Sequence, residues 1–221
     1  MTALEEKLGH KFENPGLLVT ALTHTSYANE SRNGTIHNER LEFLGDSVLS
    51  VVVSEYLFSH NKKLPEGELT RIRAGLVCEQ SLYEFAKQLG LGEHLRLGHG
   101  EERSGGRDRP AILADAFEAV IAALYLDGGM AAAKAFILPF VQEAHRANED
   151  YKTRLQEVVQ QNPEERLRYV VTEESGPDHN KSFTVEVHLN SNVLGRGRGH
   201  SKKQAEQQAA REALALMGLE K

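Results

Sequence analysis

Asn38-Glu39-Arg40-Leu41-Glu42-Phe43-Leu44-Gly45-Asp46-Ser47 opens a helix and sets three carboxylates on it. Leu41, Leu44, Val48, Val51 and Val52 recur at three- and four-residue spacing, which predicts one buried stripe on a helix from about Glu39 to Ser59. At ~100° per residue, Glu39, Glu42 and Asp46 fall within an arc of about 60° away from that stripe. Phe43 lies near the acids, where a solvated helix face favours a polar residue. Like charges at this spacing repel by ~0.2–0.5 kcal/mol per pair, and only Arg40 is adjacent to offset them. A divalent cation turns such repulsion into attraction. The stretch therefore reads as half of a metal site, with a solvated acidic face as the plainer alternative.

The other half is expected in Pro110-Ala111-Ile112-Leu113-Ala114-Asp115-Ala116-Phe117-Glu118-Ala119. Leu113, Phe117, Val120 and Leu124 form an apolar stripe. Asp115 and Glu118 lie one turn apart on a face completed by Ala119 and Ala122, which lets another backbone approach. Neighbours this small leave the two acids partly buried, and buried charge needs a partner.

Working outward, the first 147 residues read as helices throughout. Thr2 and Glu5 form a capping box closed by Gly9. Asn14-Pro15 opens a helix to about Thr23, and Thr25 to His37 reads as loop. Helices follow from about Glu66 to Val77 and from about Glu79 to Leu89. Glu66, at a helix start, suits either the helix dipole or a functional role. Gly98 to Arg109 reads as a mobile Gly- and charge-rich loop, and Met130 to about Arg146 as a helix kinked at Pro139. Arg146 to Asp150 reads as the linker.

Beyond it the period changes. A helix from Tyr151 to Gln161 precedes three strand patterns, Arg168 to Glu173, Phe183 to Leu189 and Val193 to Arg198. Ser201, with Gln204 at the capping-box position, opens a last helix to about Met217. The order α-β-β-β-α implies an antiparallel sheet with both helices on one face. Lys202 and Lys203 stand in the first turn of that last helix, where the dipole disfavours cations. Phosphate binding explains them better than chance, because amides and lysines there converge on an anion. Arg196 and Arg198 are expected to enlarge the positive patch.

The 221 residues, 40% hydrophobic and 26% charged, suit one large or two modest domains. No run approaches the ~18 apolar residues of a membrane span, and no signal peptide is evident, so a cytoplasmic protein without a membrane partner is expected. One cysteine excludes an internal disulfide; Cys78 reads as a small core residue. Without C-x-x-C or zinc-spaced histidines, any metal is a hard, oxygen-liganded one. The net charge is −6, but residues 1–150 carry 15 Lys/Arg against 22 Asp/Glu while residues 151–221 carry 11 against 10. The acidic excess belongs to the first part.

The C-terminal block resembles a double-stranded RNA-binding domain. By that resemblance Thr153, Gln156 and Glu157, with Pro177 and His179 in the loop Gly176-Pro177-Asp178-His179, meet successive minor grooves, while Ser201, Lys202, Lys203 and Gln204 hold phosphates between them. Such domains read A-form shape over ~16 bp and largely ignore sequence. The opening stretch resembles the signature of ribonuclease III, as do Ala21-Leu22-Thr23-His24-Thr25-Ser26-Tyr27, Pro65-Glu66-Gly67-Glu68 and Ile112 to Ala119. The resemblance covers the whole chain and implies two domains: an all-α endonuclease domain, residues 1–147, followed by a small α+β double-stranded RNA-binding domain, residues 148–221. It implies Glu42, Asp46, Asp115 and Glu118 as ligands of Mg²⁺, with Mn²⁺ as substitute, Asp46 and Glu118 as catalytic, and Glu39 and Glu66 as accessory acids. It implies hydrolysis of both strands of double-stranded RNA to 5′-phosphate and 3′-hydroxyl ends with short 3′ overhangs, ribosomal RNA precursors as substrates, and a homodimer into whose partner subunit Phe43 packs. Two alternatives stay open: an all-α Mg²⁺-dependent nucleotide pyrophosphohydrolase, and a module that only holds or remodels duplex RNA.

Overall fold

Residues 1–31, 34–62, 64–147, 151–159, 165–176 and 181–219 are described by a computed structural model. They belong to two units, Met1–Ala147 and Asn148–Lys221. The first is helical: α1 Ala3–Leu8, α2 Pro15–Ala21, α3 Thr25–Glu30, α4 Glu39–His60, α5 Glu66–Leu76, α6 Glu79–Leu89, α7 His99–Arg103 and α8 Pro110–Ala147. The second runs α9 Tyr151–Val159, β1 Leu167–Ser175, β2 Ser182–Leu189, β3 Asn192–Gly199 and α10 Lys202–Leu216. The all-α unit followed by an α-β-β-β-α unit is the architecture expected from the sequence.

The ends of several helices follow from local chemistry. Thr2 and Glu5 exchange both capping-box hydrogen bonds, and Asn14 Oδ1 accepts from Gly16 N ahead of the first-turn Pro15. The α2 terminus is also tied across the unit. Asp127, half-buried on α8 with its side chain covered, accepts from Glu13 N at 3.0 Å and Asn14 N at 2.9 Å, and its Oδ2 lies 2.7 Å from His10 Nε2.

Four local readings are corrected. Thr25–Glu30 is a helix rather than loop, because His24 Nδ1 accepts from Ser26 N and supplies a cap that the usual Ser/Thr/Asp/Asn rule does not include. Residues 98–109 are ordered: Arg107 donates to Gly92 O, Leu95 O and both oxygens of Glu102, pinning α7 and a 3₁₀ turn at Gly106–Asp108. The break within α8 falls at Gly129 (φ 72°, ψ −173°), while Pro139 sits within helical backbone. Cys78 is exposed at the N-cap of α6, its Sγ 3.3 Å from Gly75 O.

The core of the first unit is made by α4 lying along α8. Leu41, Val48, Leu49, Val52, Val53 and Leu57 of α4 meet Leu113, Phe117, Val120, Ile121 and Leu124 of α8, nearly all fully buried. Each such large side chain stabilises by about 1.5–3 kcal/mol. Helix α8 is long and apolar enough to cross a bilayer, more so than its sequence suggested, yet residues 119–124 are the centre of this core. Val51 is also corrected: it is 56% exposed and shares its side of α4 with Phe43 and Phe58, 78% and 74% exposed. Helical spacing reveals an apolar position without saying which neighbour covers it.

What allows α4 and α8 to touch is Gly45. A Cβ built there lies 1.8 Å from the backbone oxygen of Glu118. The same device recurs in the second unit. The sheet order is β1-β2-β3, antiparallel throughout, and Gly195, Gly197 and Gly199 of β3 face α10, where a Cβ at Gly197 would stand 2.1 Å from Ala205 O. Ala205, Ala209, Ala210 and Ala213 answer them from the helix, over a core shared with Leu155, Val185 and Val187.

Gly45→Ala is therefore expected to destabilise the first unit by at least about 3 kcal/mol, the upper end of overpacking penalties. Gly67→Ala, a helical position with open space around its Cβ, is expected to be neutral or to stabilise by up to ~1 kcal/mol. Urea unfolding of both variants compares them; equal effects would sink the close-packing account.

Candidate functional site

The approach at Gly45 brings the acids of two helices together. Glu42 projects from α4 one turn before Gly45, and Asp115 and Glu118 come from α8. One carboxylate oxygen from each of Glu42, Asp115 and Glu118 lies within 4.8 Å of the others, and all three residues are half-buried. No lysine or arginine is paired with any of the three among the described residues. Three converging anions without a counter-charge shift one another's protonation. Burial, followed by the charges of Asp46, Glu42 and Asp115, pushes Glu118 up to about 8. Burial and Asp115 raise Glu42; burial raises Asp115, against a lowering contribution from His24.

Asp46 is exposed and stands outside the three, though close enough to raise both Glu118 and Glu42. Glu39 is exposed, 3.8 Å from His37 Nδ1, and adds to the field on Glu42 and Asp115. Glu66 accepts from Thr70 Oγ1 at 2.8 Å on its own helix and is not drawn into the cluster. Sequence reasoning gave no role to Glu79, which raises Asp115 from the start of α6, or to His24. Their influence on Asp115 arises only once separate elements are packed.

All ligand atoms are carboxylate oxygens, without thiol or imidazole, so the set suits a hard divalent cation. Such an ion removes the mutual repulsion and displaces the proton that Glu118 otherwise holds near neutrality.

On the second unit, Ser201 Oγ accepts from Gln204 N at 3.2 Å and opens α10. The Gln204 side chain reaches one residue further back than a standard capping box, accepting from His200 N at 2.8 Å. Lys202 and Lys203 are exposed beside it, with Lys202 Nζ 5.6 Å from the Phe183 ring. Arg196 and Arg198 turn instead toward β2, Arg196 to Glu186 at 2.6 Å and Arg198 to Ser182 at 2.9 Å, so they do not simply extend the lysine patch. Gln156 is exposed on α9. The side chains of Thr153 and Glu157, and the loop residues Pro177, Asp178 and His179, lie outside the described residues.

The raised acids set a pH dependence. A carboxyl whose folded pKa is above its unfolded value binds more protons when folded, so its contribution to stability is full below about 4.5 and is lost as pH rises toward 8. In a metal chelator the first unit is therefore expected to melt at a lower temperature at about pH 8.5 than at about pH 6. Glu118→Gln should remove most of that difference; an undiminished slope in the variant would contradict it.

Residues 14–144 match a family model described as ribonuclease-III-like, and residues 151–217 match the double-stranded RNA binding motif. The chain is 52% identical over 225 residues to a protein of Caldanaerobacter subterraneus named Ribonuclease 3, covering 99% of both chains. A Desulforamulus reducens protein of the same name is 52% identical over 217 residues, covering 95% of this chain and 88% of that one. Among solved structures, the nuclease domain of ribonuclease III from Campylobacter jejuni, described with structural flexibility in the region involved in dimer formation, aligns with a TM-score of 0.59 at 43% identity over 63% of this chain and 94% of that one. With its first unit matched almost throughout, its second matched separately and its relatives aligned end to end, the chain belongs to the ribonuclease III family, with a double-stranded RNA-binding domain after the nuclease domain.

Proposed function

We propose that this enzyme hydrolyses both strands of double-stranded RNA at a Mg²⁺ site formed by Glu42, Asp115 and Glu118, with Asp46 completing the ligand set. The observation that carries the reading is the convergence of three uncompensated carboxylates from α4 and α8 within 4.8 Å. When bound, Mg²⁺ supplies a water of lowered pKa for in-line attack and charge stabilisation at the leaving 3′-oxygen, and Mn²⁺ is expected to substitute. Glu42 and Asp115 hold their oxygens toward the cation, and Glu118 gives up its proton on binding. Glu39 and Glu66 serve as accessory acids at the margin. No serine, cysteine or histidine nucleophile is required; water attack at phosphorus with the 3′-oxygen leaving gives the 5′-phosphate and 3′-hydroxyl ends expected of the family.

The second unit supplies affinity. Lys202 and Lys203 at the start of α10 meet phosphates, with Ser201 and Gln204 beside them, while Thr153, Gln156, Glu157, Pro177 and His179 contact minor grooves. Because the nuclease unit is net acidic, binding depends on the cationic helix terminus and weakens steeply with salt. The exposed Phe43, Val51 and Phe58 are covered by a second copy of the chain, and paired sites then cut the two strands to leave short 3′ overhangs. Ribosomal RNA precursors and structured messenger RNAs in the cytoplasm are the substrates expected.

Long duplex RNA incubated in Mg²⁺ with wild-type and Glu118→Gln protein tests the site. The variant is expected to bind as wild type in Ca²⁺ and to cut at least about 100-fold more slowly, beyond the 10–100-fold typical of residues that only support a ligand. Equal cutting would refute the assignment, and pyrophosphate release from free nucleotides without duplex cleavage would point to the other enzyme class. Phe43→Asp should shift the protein toward monomer in sedimentation; an unchanged dimer would remove Phe43 from the interface.

A further inference from the structure

The sheet of the second unit ends at β3, whose outer side has no neighbouring strand. Along that side β3 and α10 enclose a groove of about 470 Å³, whose lining includes Arg196, Arg198, Gln204, Gln208, Arg211 and Glu212. In an antiparallel pair the amides of a strand point alternately toward its partner and away from it. Arg196 N donates to the Glu212 carboxylate of α10 rather than to β2. Arg198 stands two residues on in the same register, with Arg196 against Glu186 and Arg198 against Thr184. The backbone N–H groups of both arginines are therefore directed to the groove side.

The groove suits negative charge. Arg196 is paired with Glu186 but keeps 69% of its side chain exposed. Arg198 donates to the neutral Ser182 hydroxyl, and Arg211 adds a cation from α10. Gln204 and Gln208 contribute amides from the exposed side of that helix. The carboxylate in the lining, Glu212, is already bonded to an edge N–H, and so illustrates the group that such a donor takes. A concave slot along one strand admits a single extended chain rather than a duplex. Single strands of nucleic acid are gripped by stacking on aromatic rings, and none of the described lining residues is aromatic. A peptide fits better.

We propose that this groove docks an extended acidic peptide of a partner protein, which adds to the free edge of β3 as a fourth strand and sets carboxylates at alternate positions against Arg196 and Arg198. Strand addition supplies main-chain hydrogen bonds, and the alternating side chains supply specificity. Arg196 and Arg198 lie two residues apart on one face of the sheet, about 7 Å along an extended chain. An acid at every second residue matches both. A run of consecutive acids turns half of its carboxylates to the other face, where Glu212 already holds negative charge.

Fluorescein-labelled octapeptides mixed with the full chain at low salt without divalent metal, followed by fluorescence anisotropy, test the proposal. A peptide alternating Glu and Thr is expected to bind at least about fivefold more tightly than one with four Glu followed by four Thr. Methylating its backbone nitrogens, which keeps every charge, should abolish that preference. Arg198→Gln and Gln208→Glu should each weaken the alternating peptide at least about threefold, while Gln208→Glu leaves duplex RNA binding in Ca²⁺ unchanged. Equal binding of the two peptides, or of the methylated and unmethylated forms, overturns the strand addition. A loss of duplex affinity in Gln208→Glu as large as its loss of peptide assigns the groove to RNA. Dissociation of a dimer by Gln208→Glu in sedimentation assigns it to a second copy of the chain. Either of these results overturns the proposal as well.

Discussion

The backbone contact between Gly45 and Glu118 is the constraint on which the nuclease unit depends. Two helices normally keep 8–10 Å between their axes because side chains intervene. Removing the side chain at one position, opposite a run of alanines, lets α4 reach the backbone of α8. The same glycine stands between Glu42 and Asp46, and the carbonyl it touches belongs to Glu118. Packing and chemistry therefore meet at one point: the contact that closes the core also aims carboxylates from both helices at a common centre.

That convergence is unfavourable on its own. Three half-buried acids with no cationic partner among the described residues store repulsion in the fold, and Glu118 relieves part of it by keeping a proton to about 8. The surrounding core tolerates this because helices of alanine, leucine and phenylalanine bury enough apolar area to outweigh it. The repulsion is what gives the site affinity for a small hard cation, since the ion and the protons compete for the same oxygens. Functional sites commonly break the local rules that the rest of the sequence obeys, and this one does so by concentrating charge of a single sign.

The RNA-binding unit uses close approach for another end. Alternate glycines along β3 let α10 settle onto the sheet, which directs the first turn of α10, with Lys202 and Lys203, into solvent. On β3 the Arg196 guanidinium is turned to β2 and balanced by Glu186, while Arg198 donates to the neutral Ser182 hydroxyl, so positive charge remains at Arg198 and at the start of α10. The chain divides its electrostatics accordingly. One unit gathers negative charge around a cation, and the other presents positive charge to phosphates.

Most of this division was legible in the linear sequence. Period-3.6 and period-2 patterns marked the helices and strands, Thr2/Glu5, Asn14-Pro15 and Ser201 marked helix starts, and paired acids in two apolar helices marked the halves of a site. What failed was information that no window of a few residues contains. Val51 fits the helical apolar pattern yet faces outward, the His24 cap depends on a ring orientation, and Cys78 looks like core until its helix is placed. The sequence alone determined which residues are acidic, apolar or small and at what local spacing. Only the tertiary structure decided that Glu42, Asp115 and Glu118 converge, with Asp46 close by on α4 and Glu66 turned to Thr70 on its own helix. Distances between helices follow from their crossing and from the missing side chain at Gly45, and residues 70 or more positions apart meet only after both helices are packed.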